Sequence, residues 1–344
     1  MNFLMQLMKP FGFAMLLAVS AIQMTDRADA QSAASGTISE MDTPPATAQV
    51  VKVGMYVNTV YQLEIESSTY YLDAYLWFKW RGSIDPTATL EITNLVEEWG
   101  AMVTPLNEEP TILPDGSQYK LIKVEGRFMQ PFILADYPLD RHNLSVYLED
   151  STYGSDALVY EMDQVGSGYG HMLAIPGWEI LSWSSQQLQH DYGSFFGAQG
   201  AGGASVYSTL RFDLEIARPI NFFLFKLLLP LIIILAASWM ALILHPRLVD
   251  ARTALPGMGL LTAVFLQQSY SDGLPEVGYL VLIDKVYVVA YAMIVITLLR
   301  TIWTSRNDPG EQAVVTSVRR TDLILLVTQA AMFGASVATI LASR

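Results

Sequence analysis

The sequence predicts an all-β, immunoglobulin-like sandwich followed by an all-α bundle of four membrane-spanning helices. Three observations point there. The period of the apolar residues switches from two to helical near Arg218. The chain is 52% hydrophobic with a mean hydropathy of +0.32, too apolar for an ordinary soluble domain. Charge is divided unevenly, with 24 Asp and Glu against 8 Lys and Arg between Gln31 and Ala217 and a slightly basic remainder. A length of 344 residues leaves room for about two domains. A basic footprint for nucleic acid is absent. With no cysteine, neither a disulfide nor a thiolate metal site is available.

Taken in order, Met1 to Ala30 reads as a cleaved secretory signal, with Lys9, the apolar run Phe11 to Ile22 and Ala28-Asp29-Ala30 as the small-residue cleavage site. Residues 31–49, rich in Ser, Ala, Thr and Pro, predict a flexible segment. Residues 50–217 read as the β-sandwich, an exported ligand-binding domain. Along Tyr71 to Trp80 the aromatics recur at period two, which places Tyr71, Asp73, Tyr75, Trp77 and Lys79 on one face of a strand. Similar runs follow at Leu121 to Phe132, Asn143 to Leu148, Trp178 to Ser184 and Ser205 to Ile216, separated by turn residues. Residues 197–204 are glycine-rich and predict a flexible hairpin tip.

Residues 218–344 read as a transmembrane domain with helices at about 219–244, 252–271, 278–302 and 321–343. Ile220 to Leu244 is nearly all apolar, and at ~1.5 Å per residue it crosses a ~30 Å hydrocarbon core. The second helix differs, because Thr253, Thr262, Gln267, Gln268 and Ser269 interrupt its apolar residues. Polar groups facing lipid are costly, so such a helix turns them toward protein or water. Asp250, Ala254, Met258, Leu261, Phe265, Gln268 and Asp272 recur at spacings of four and three and share one stripe. That stripe is a candidate pore lining, and periodicity alone permits an ordinary packing seam equally well. Pro256, with Gly257 and Gly259 beside it, reads as a fraying helix start in preference to a hinge. Arg247 and Arg252 lie in the first connection and Arg300, Arg306, Arg319 and Arg320 in the third, which makes both cytoplasmic. The β-domain and the C-terminus then lie outside.

Four stretches now bear on family. They are Ala135-Asp136-Tyr137-Pro138-Leu139-Asp140, then Arg218-Pro219 before the first helix, Leu261-Thr262 midway along the second, and Leu274-Pro275 with Tyr279-Leu280 and Asp284 opening the third. In this order and spacing they resemble the pentameric ligand-gated channels, the family of nicotinic, glycine and bacterial proton-gated receptors. The loop cysteines of that family would fall at Gln130 and Leu144, so the bridge is missing, as in prokaryotic members. The short link Thr304 to Arg320 is prokaryotic in manner too, and Ser151 or a neighbour stands where eukaryotic receptors carry a binding-loop tryptophan.

The resemblance implies a homopentamer in the bacterial inner membrane, multi-pass, with the sandwich and the C-terminus periplasmic. It implies that the second helix lines the pore, with Leu261 at the gate between rings of Met258 and Phe265. Acidic rings at Asp250 and Asp272 favour permeant cations, while Arg252 argues the other way because Asp-Ala-Arg resembles the Pro-Ala-Arg of anion channels. Gating coupling falls to Glu64, Glu66, Tyr137, Pro138, Asp140, Arg218, Leu274 and Pro275, with Arg218 paired to Glu66 or Asp140. The agonist, a small molecule or ion, is expected beneath the hairpin, against Tyr153, Tyr192, Phe195 and Phe196 on one side and Tyr75, Trp77 and Phe128 on the other. No cofactor is implied. Glu97, Glu98, Glu108, Glu109, Asp115, Glu149 and Asp150 are candidates for modulatory Ca²⁺, though a solvated acidic face accounts for most of them. No catalytic motif surrounds His142, His171, His190 or His245, so an enzyme is not expected. The alternative is a non-conducting, membrane-anchored ligand sensor, which would share both the sandwich and the spans.

Overall fold

A computed structural model describes residues 37–41, 45–197, 205–306 and 312–343. The expected signal, residues 1–30, and most of the expected hairpin tip lie outside the described residues. The described residues divide into two units, 37–132 with Arg141–Arg218, and Ile133–Asp140 with 219–343.

The first unit is built on two sheets. One has the order β1 (Thr37–Glu40), β12 (Glu179–Asp191), β13 (Val206–Ala217), β9 (Arg141–Asp150) and β4 (Leu90–Ile92). The other has the order β10 (Leu158–Met162), β2 (Gln49–Glu64), β3 (Thr69–Trp80), β8 (Gln118–Met129) and β5 (Leu95–Val96). The short strands β6 (Met102–Pro105) and β7 (Thr111–Ile112) also pair with β8, and β11 (Gly168–Tyr169) pairs with β2. Thr37–Glu40 lies in the segment expected to be flexible, yet it adds an edge strand in register with Leu188 to Asp191.

Alternation fills the core. On β3 the residues Tyr70, Leu72, Ala74, Leu76, Phe78 and Trp80 point inward, leaving the predicted Tyr71, Asp73, Tyr75, Trp77 and Lys79 face outside. Val146, Leu148, Leu210, Phe212, Leu214 and Ile216 meet them from the other sheet. Tyr70 is wholly buried and satisfies its hydroxyl by donating to the Ser145 carbonyl of that sheet at 2.6 Å.

The second unit holds four helices long and apolar enough to cross a membrane. A π-helical turn, Phe222–Leu228, runs into an α-helix, Leu229–Ile243, and together they form α1. Pro230 has no N–H to give the Lys226 carbonyl, and the Leu229 N–H reaches five residues back to Leu224 instead. The others are α2 (Val249–Ser271), α3 (Leu282–Arg306) and α4 (Gln312–Ala342). Over its span α2 has a mean hydropathy of 1.2, against 1.9 to 2.3 for the other three.

Two expectations need correction here. Pro256 is not a fraying start, because α2 begins at Val249 and carries Pro256 buried in its interior. The reason is close packing on α1: a side chain at Gly259 would collide with the Ser238 hydroxyl, and Pro256 and Gly259 lie on that same buried face. The basic residues Arg252, Arg300, Arg319 and Arg320 lie within helices, and only Arg247 of the described set occupies a link.

Candidate functional site

Both units hold arrangements that can carry chemistry. Along α2 the buried residues are Arg252, Pro256, Gly259 and Ala263, at spacings of four, three and four. That stripe is the packing seam. The predicted stripe lies on the opposite face, where Asp250, Ala254, Gln268 and Asp272 are exposed and Met258, Leu261 and Phe265 are 68%, 58% and 65% exposed. Contacts inside the unit therefore leave the stripe uncovered. Thr262 and Thr253 turn their hydroxyls back onto the Met258 and Val249 carbonyls, at 2.8 and 3.0 Å. Gln268 donates to Asp272 at 2.7 Å, one turn ahead.

Arg252 occupies neither the exposed stripe nor the connection. Its guanidinium is buried and reaches Asp322 of α4 at 2.5 Å, the Ala241 carbonyl of α1 at 2.8 Å and Thr304 of α3 at 3.4 Å. Arg300 holds the other Asp322 oxygen at 2.8 Å and Thr321 at 2.5 Å. One carboxylate thus gathers two guanidiniums from two other helices. A buried ion pair of this kind is held by its geometry and hydrogen bonds, since desolvating each charge opposes it.

At the other end of the bundle the loop Ile133–Asp140, which joins β8 to β9, belongs to the helical unit. The Ala135 and Tyr137 carbonyls accept the Leu282 and Ile283 N–H groups at 2.9 and 3.2 Å, and the Leu134 N–H donates to the Tyr279 hydroxyl at 3.1 Å. The Tyr137 ring stacks on Tyr270 at 6.3 Å. Asp284 then joins α2 to the start of α3, accepting Gln267 at 2.9 Å, Tyr270 at 2.5 Å and the Val281 N–H at 3.3 Å. Tyr291 closes the group by donating to Gln267 at 2.5 Å. Pro138 and Asp140 are buried, and Leu274 and Pro275 are half-buried. Glu64 accepts the Ser67 hydroxyl at 2.9 Å, Glu66 is exposed, and the Arg218 guanidinium lies 4.3 Å from the centre of the Trp178 ring.

In the sandwich unit, Glu149 on β9 is 2% exposed and anchors the base of the β12–β13 hairpin. It lies 2.9 Å from His190 Nδ1 and accepts the Tyr192 and Thr209 hydroxyls at 2.8 and 2.7 Å. Burial, followed by the bond to Glu149, pushes the Tyr192 phenol far up, so it stays a proton donor. Tyr192 packs against His190, Phe196 and Tyr207 at 3.8, 5.2 and 5.7 Å between ring centres. Phe195 and Phe196 are exposed beside it. Tyr153 packs against the core, and Tyr75 is half-buried on the outer face of β3. Phe128 departs from expectation: it is fully buried, stacked on Tyr70 at 5.6 Å, because its parity on β8 turns it inward. Glu149 and Asp150 also leave the Ca²⁺ candidates, because both are buried and already engaged, Glu149 by His190, Tyr192 and Thr209 and Asp150 by Thr89, Thr152 and Tyr153. Among the described residues no group of three His, Asp or Glu side chains is placed to hold a metal ion.

Trp77 is anchored by Asp163, which accepts the indole N–H at 2.9 Å and the Lys79 ammonium at 2.7 Å. Burial by itself would raise the Asp163 carboxyl, but the bonds from Lys79 and Trp77 and the ammonium charge outweigh it and hold the carboxyl below its usual range. A depressed native value stabilises the fold above the unfolded value of ~3.9 and is lost as pH falls through the native one. Thermal melts between about pH 6 and pH 3 are expected to show a decline in stability that is shallower in Asp163→Asn. Identical slopes would remove this role.

No protein-family model matches the chain. A proton-gated ion channel from Gloeobacter violaceus is 21% identical over 299 residues, covering 80% of each chain. A γ-aminobutyric acid receptor β subunit from Lymnaea stagnalis is 23% identical over 278 residues, 73% of this chain and 54% of the relative. A glutamate-gated chloride channel from Drosophila melanogaster is 25% identical over 176 residues, 50% of this chain and 36% of the relative. All three are channels or receptors rather than enzymes. A two-sheet β-unit, four membrane-length helices after it and these relationships together fit a pentameric ligand-gated ion channel.

Proposed function

We propose that the chain forms a homopentameric, ligand-gated, cation-selective channel whose pore is lined by α2. The observation that carries this is the division of α2 into two stripes, one committed to packing and the other uncovered and bordered by Asp250 and Asp272. Five copies of one chain around an axis give the uncovered stripe a place to face water. Rings of Met258, Leu261 and Phe265 then block ions by dewetting, and acidic rings at both ends attract cations. Arg252, the residue that argued for anions, is withdrawn into the bundle by Asp322. Burial of that charge supports the cation reading beside a relative whose name specifies chloride.

The names of the relatives specify a proton, γ-aminobutyric acid and glutamate, so a small ligand or ion suits this chain as well. The hairpin aromatics Tyr192, Phe195 and Phe196 form one wall of its site, and Tyr75 and Trp77 of a neighbouring subunit form the other. Coupling passes through Tyr137, Pro138 and the Leu274-Pro275 linker, supported by the bonds of the Ile133–Asp140 loop to α3. The chain is proposed to sit in the inner membrane of a bacterium with its sandwich outside.

Purified protein in a planar bilayer under asymmetric salt tests this reading. The reversal potential is expected to follow the cation gradient, and Leu261→Ser is expected to shift activation at least about tenfold toward lower agonist or leave the pore open. Reversal that tracks chloride removes the selectivity claim. An absence of current from folded protein under every agonist leaves a non-conducting sensor.

A further inference from the structure

The first strand is held by its backbone. Thr37–Glu40 pairs antiparallel with β12 in the register Thr37 with Asp191, Ile38 with His190, Ser39 with Gln189 and Glu40 with Leu188. The Met41 N–H continues the ladder onto the Gln187 carbonyl at 3.3 Å. Yet all four side chains of β1 are exposed, Ile38 at 55%. The net gain from one backbone hydrogen bond is of the same order as the entropy cost of ordering one residue. A strand that buries no side chain is therefore finely balanced between docked and released.

What β1 covers is the outer strand of the hairpin. The sheet order runs β1, β12, β13, β9 and β4, so without β1 the edge of the sheet is β12 itself. Of the 13 residues of β12 only Leu188 is buried. A bare edge presents a row of unpaired N–H and C=O groups and is a template for another strand. Parity divides those groups. The Tyr192 N–H donates to the Ser205 carbonyl at 2.9 Å, on the β13 side, while Gln187 accepts from Met41 on the β1 side. In this stretch the even-numbered residues thus turn their backbone to β13 and the odd-numbered ones to β1. The Gln189 and Asp191 amides have their ladder partners on β1. The same register reaches the Glu149 group, since Ile38 stands opposite His190 and His190 opposite Tyr207. His190 and Tyr192 are the two residues that tie β12 to Glu149.

We propose that the edge of β12 is a strand-addition site and that β1 is its built-in, releasable occupant, a strap that restrains the hairpin when docked and frees it when released. Its effect on activation rests on the reading of Tyr192, Phe195 and Phe196 as one agonist wall. A hairpin already held in place binds at a smaller ordering cost, so the docked strap favours agonist. Sensitivity is then set by a segment that touches no ligand.

Hydrogen exchange of the full-length protein in detergent, resolved to single amides by mass spectrometry and run without agonist, tests the strap. Ser39→Pro removes the N–H that faces Gln189 and is expected to speed exchange at Gln189 and Asp191 at least about tenfold. Leu188 and His190, bonded to β13, are expected to change less than about twofold. Ser39→Ala keeps the N–H and is expected to leave all four as in the parent. The chain has no cysteine, so Ser39→Cys with Gln189→Cys places a single disulfide across directly opposed residues, ~5.5 Å apart between Cα atoms. Oxidised, the pair is expected to exchange at Asp191 at least about tenfold more slowly than after reduction. Equal rates in the two forms would mean that β1 is never released, and the strap fails. It fails also if Ser39→Pro leaves Gln189 and Asp191 unchanged, or frees Leu188 and His190 equally, which would make β1 an integral part of the hairpin. These readings use no agonist, so they are independent of the agonist wall. In bilayer recordings with protons, γ-aminobutyrate or glutamate as the probe, the oxidised pair is expected to reach half-maximal current at a concentration at least about threefold lower than the reduced one. Equal or reversed sensitivity removes the effect on activation and leaves the strap to the exchange data, whereas Phe196→Ala without effect on the same currents removes the wall alone.

Discussion

Asp322→Ala is expected to destabilise the helical unit by about 3–5 kcal/mol and to abolish assembly of a detergent-stable oligomer. Asp322 is wholly buried and is the carboxylate shared by Arg252 and Arg300. Its removal leaves two guanidiniums facing one another inside the bundle, and Arg252 is itself 1% exposed. Neither can relax to water without unpacking the ends of all four helices. The measurement is the melting temperature and oligomer fraction of purified protein by size-exclusion chromatography. Arg252→Met with Arg300→Met and Asp322→Leu is expected to recover most of the loss, since replacing a whole buried ionic group by apolar residues is often neutral. An Asp322→Ala protein that melts like the parent would show that the ionic group contributes nothing.

Asp284→Ala is expected to produce the second largest effect, on gating as well as on stability. The carboxylate accepts from Gln267 and Tyr270 of α2 and from the backbone at Val281, so three donors lose their acceptor together. Bonds to a charged group contribute ~1.5–3 kcal/mol each, and partial rescue by water leaves an expected loss of about 2–4 kcal/mol. Tyr270 also stacks on Tyr137, so the same change loosens α2 from the Ile133–Asp140 loop. Agonist concentration–response curves are expected to shift at least about tenfold, with Tyr270→Phe giving a smaller shift in the same direction. A fully active Asp284→Ala channel with unchanged thermal stability would remove Asp284 from the coupling route.

Much of the architecture was legible in residue order. The outward face of β3 followed from alternation, because one side of a sandwich strand must be buried and the period is two. That the stripe residues of α2 share one face followed from spacings of four and three in the same way, but not which face is exposed. Phe128 was misplaced because strand parity decides which of two neighbouring residues faces the core, and an aromatic side chain suits either side. Arg252 was misplaced because its partner lies 70 residues away on another helix, beyond any local pattern. A signal for that pairing was present: Asp322 is an acid within an apolar span, and such a residue needs a named partner. The group around Glu149 left a fainter trace, since His190, Tyr192 and Thr209 come from a hairpin whose approach to β9 is a matter of sheet order.

Residue order alone carries the two-part architecture, the number and order of the spans, a resemblance to one channel family, and which residues of α2 share a face. These are local properties, written in periods of two and of about 3.6 and in runs long enough for a bilayer. Tertiary structure alone decided which face of α2 is buried, that Arg252 is neutralised by Asp322 inside the bundle, and that Thr37–Glu40 docks on the edge of β12. Each of these depends on partners distant in the chain, and the energy of a buried charge is set by what surrounds it.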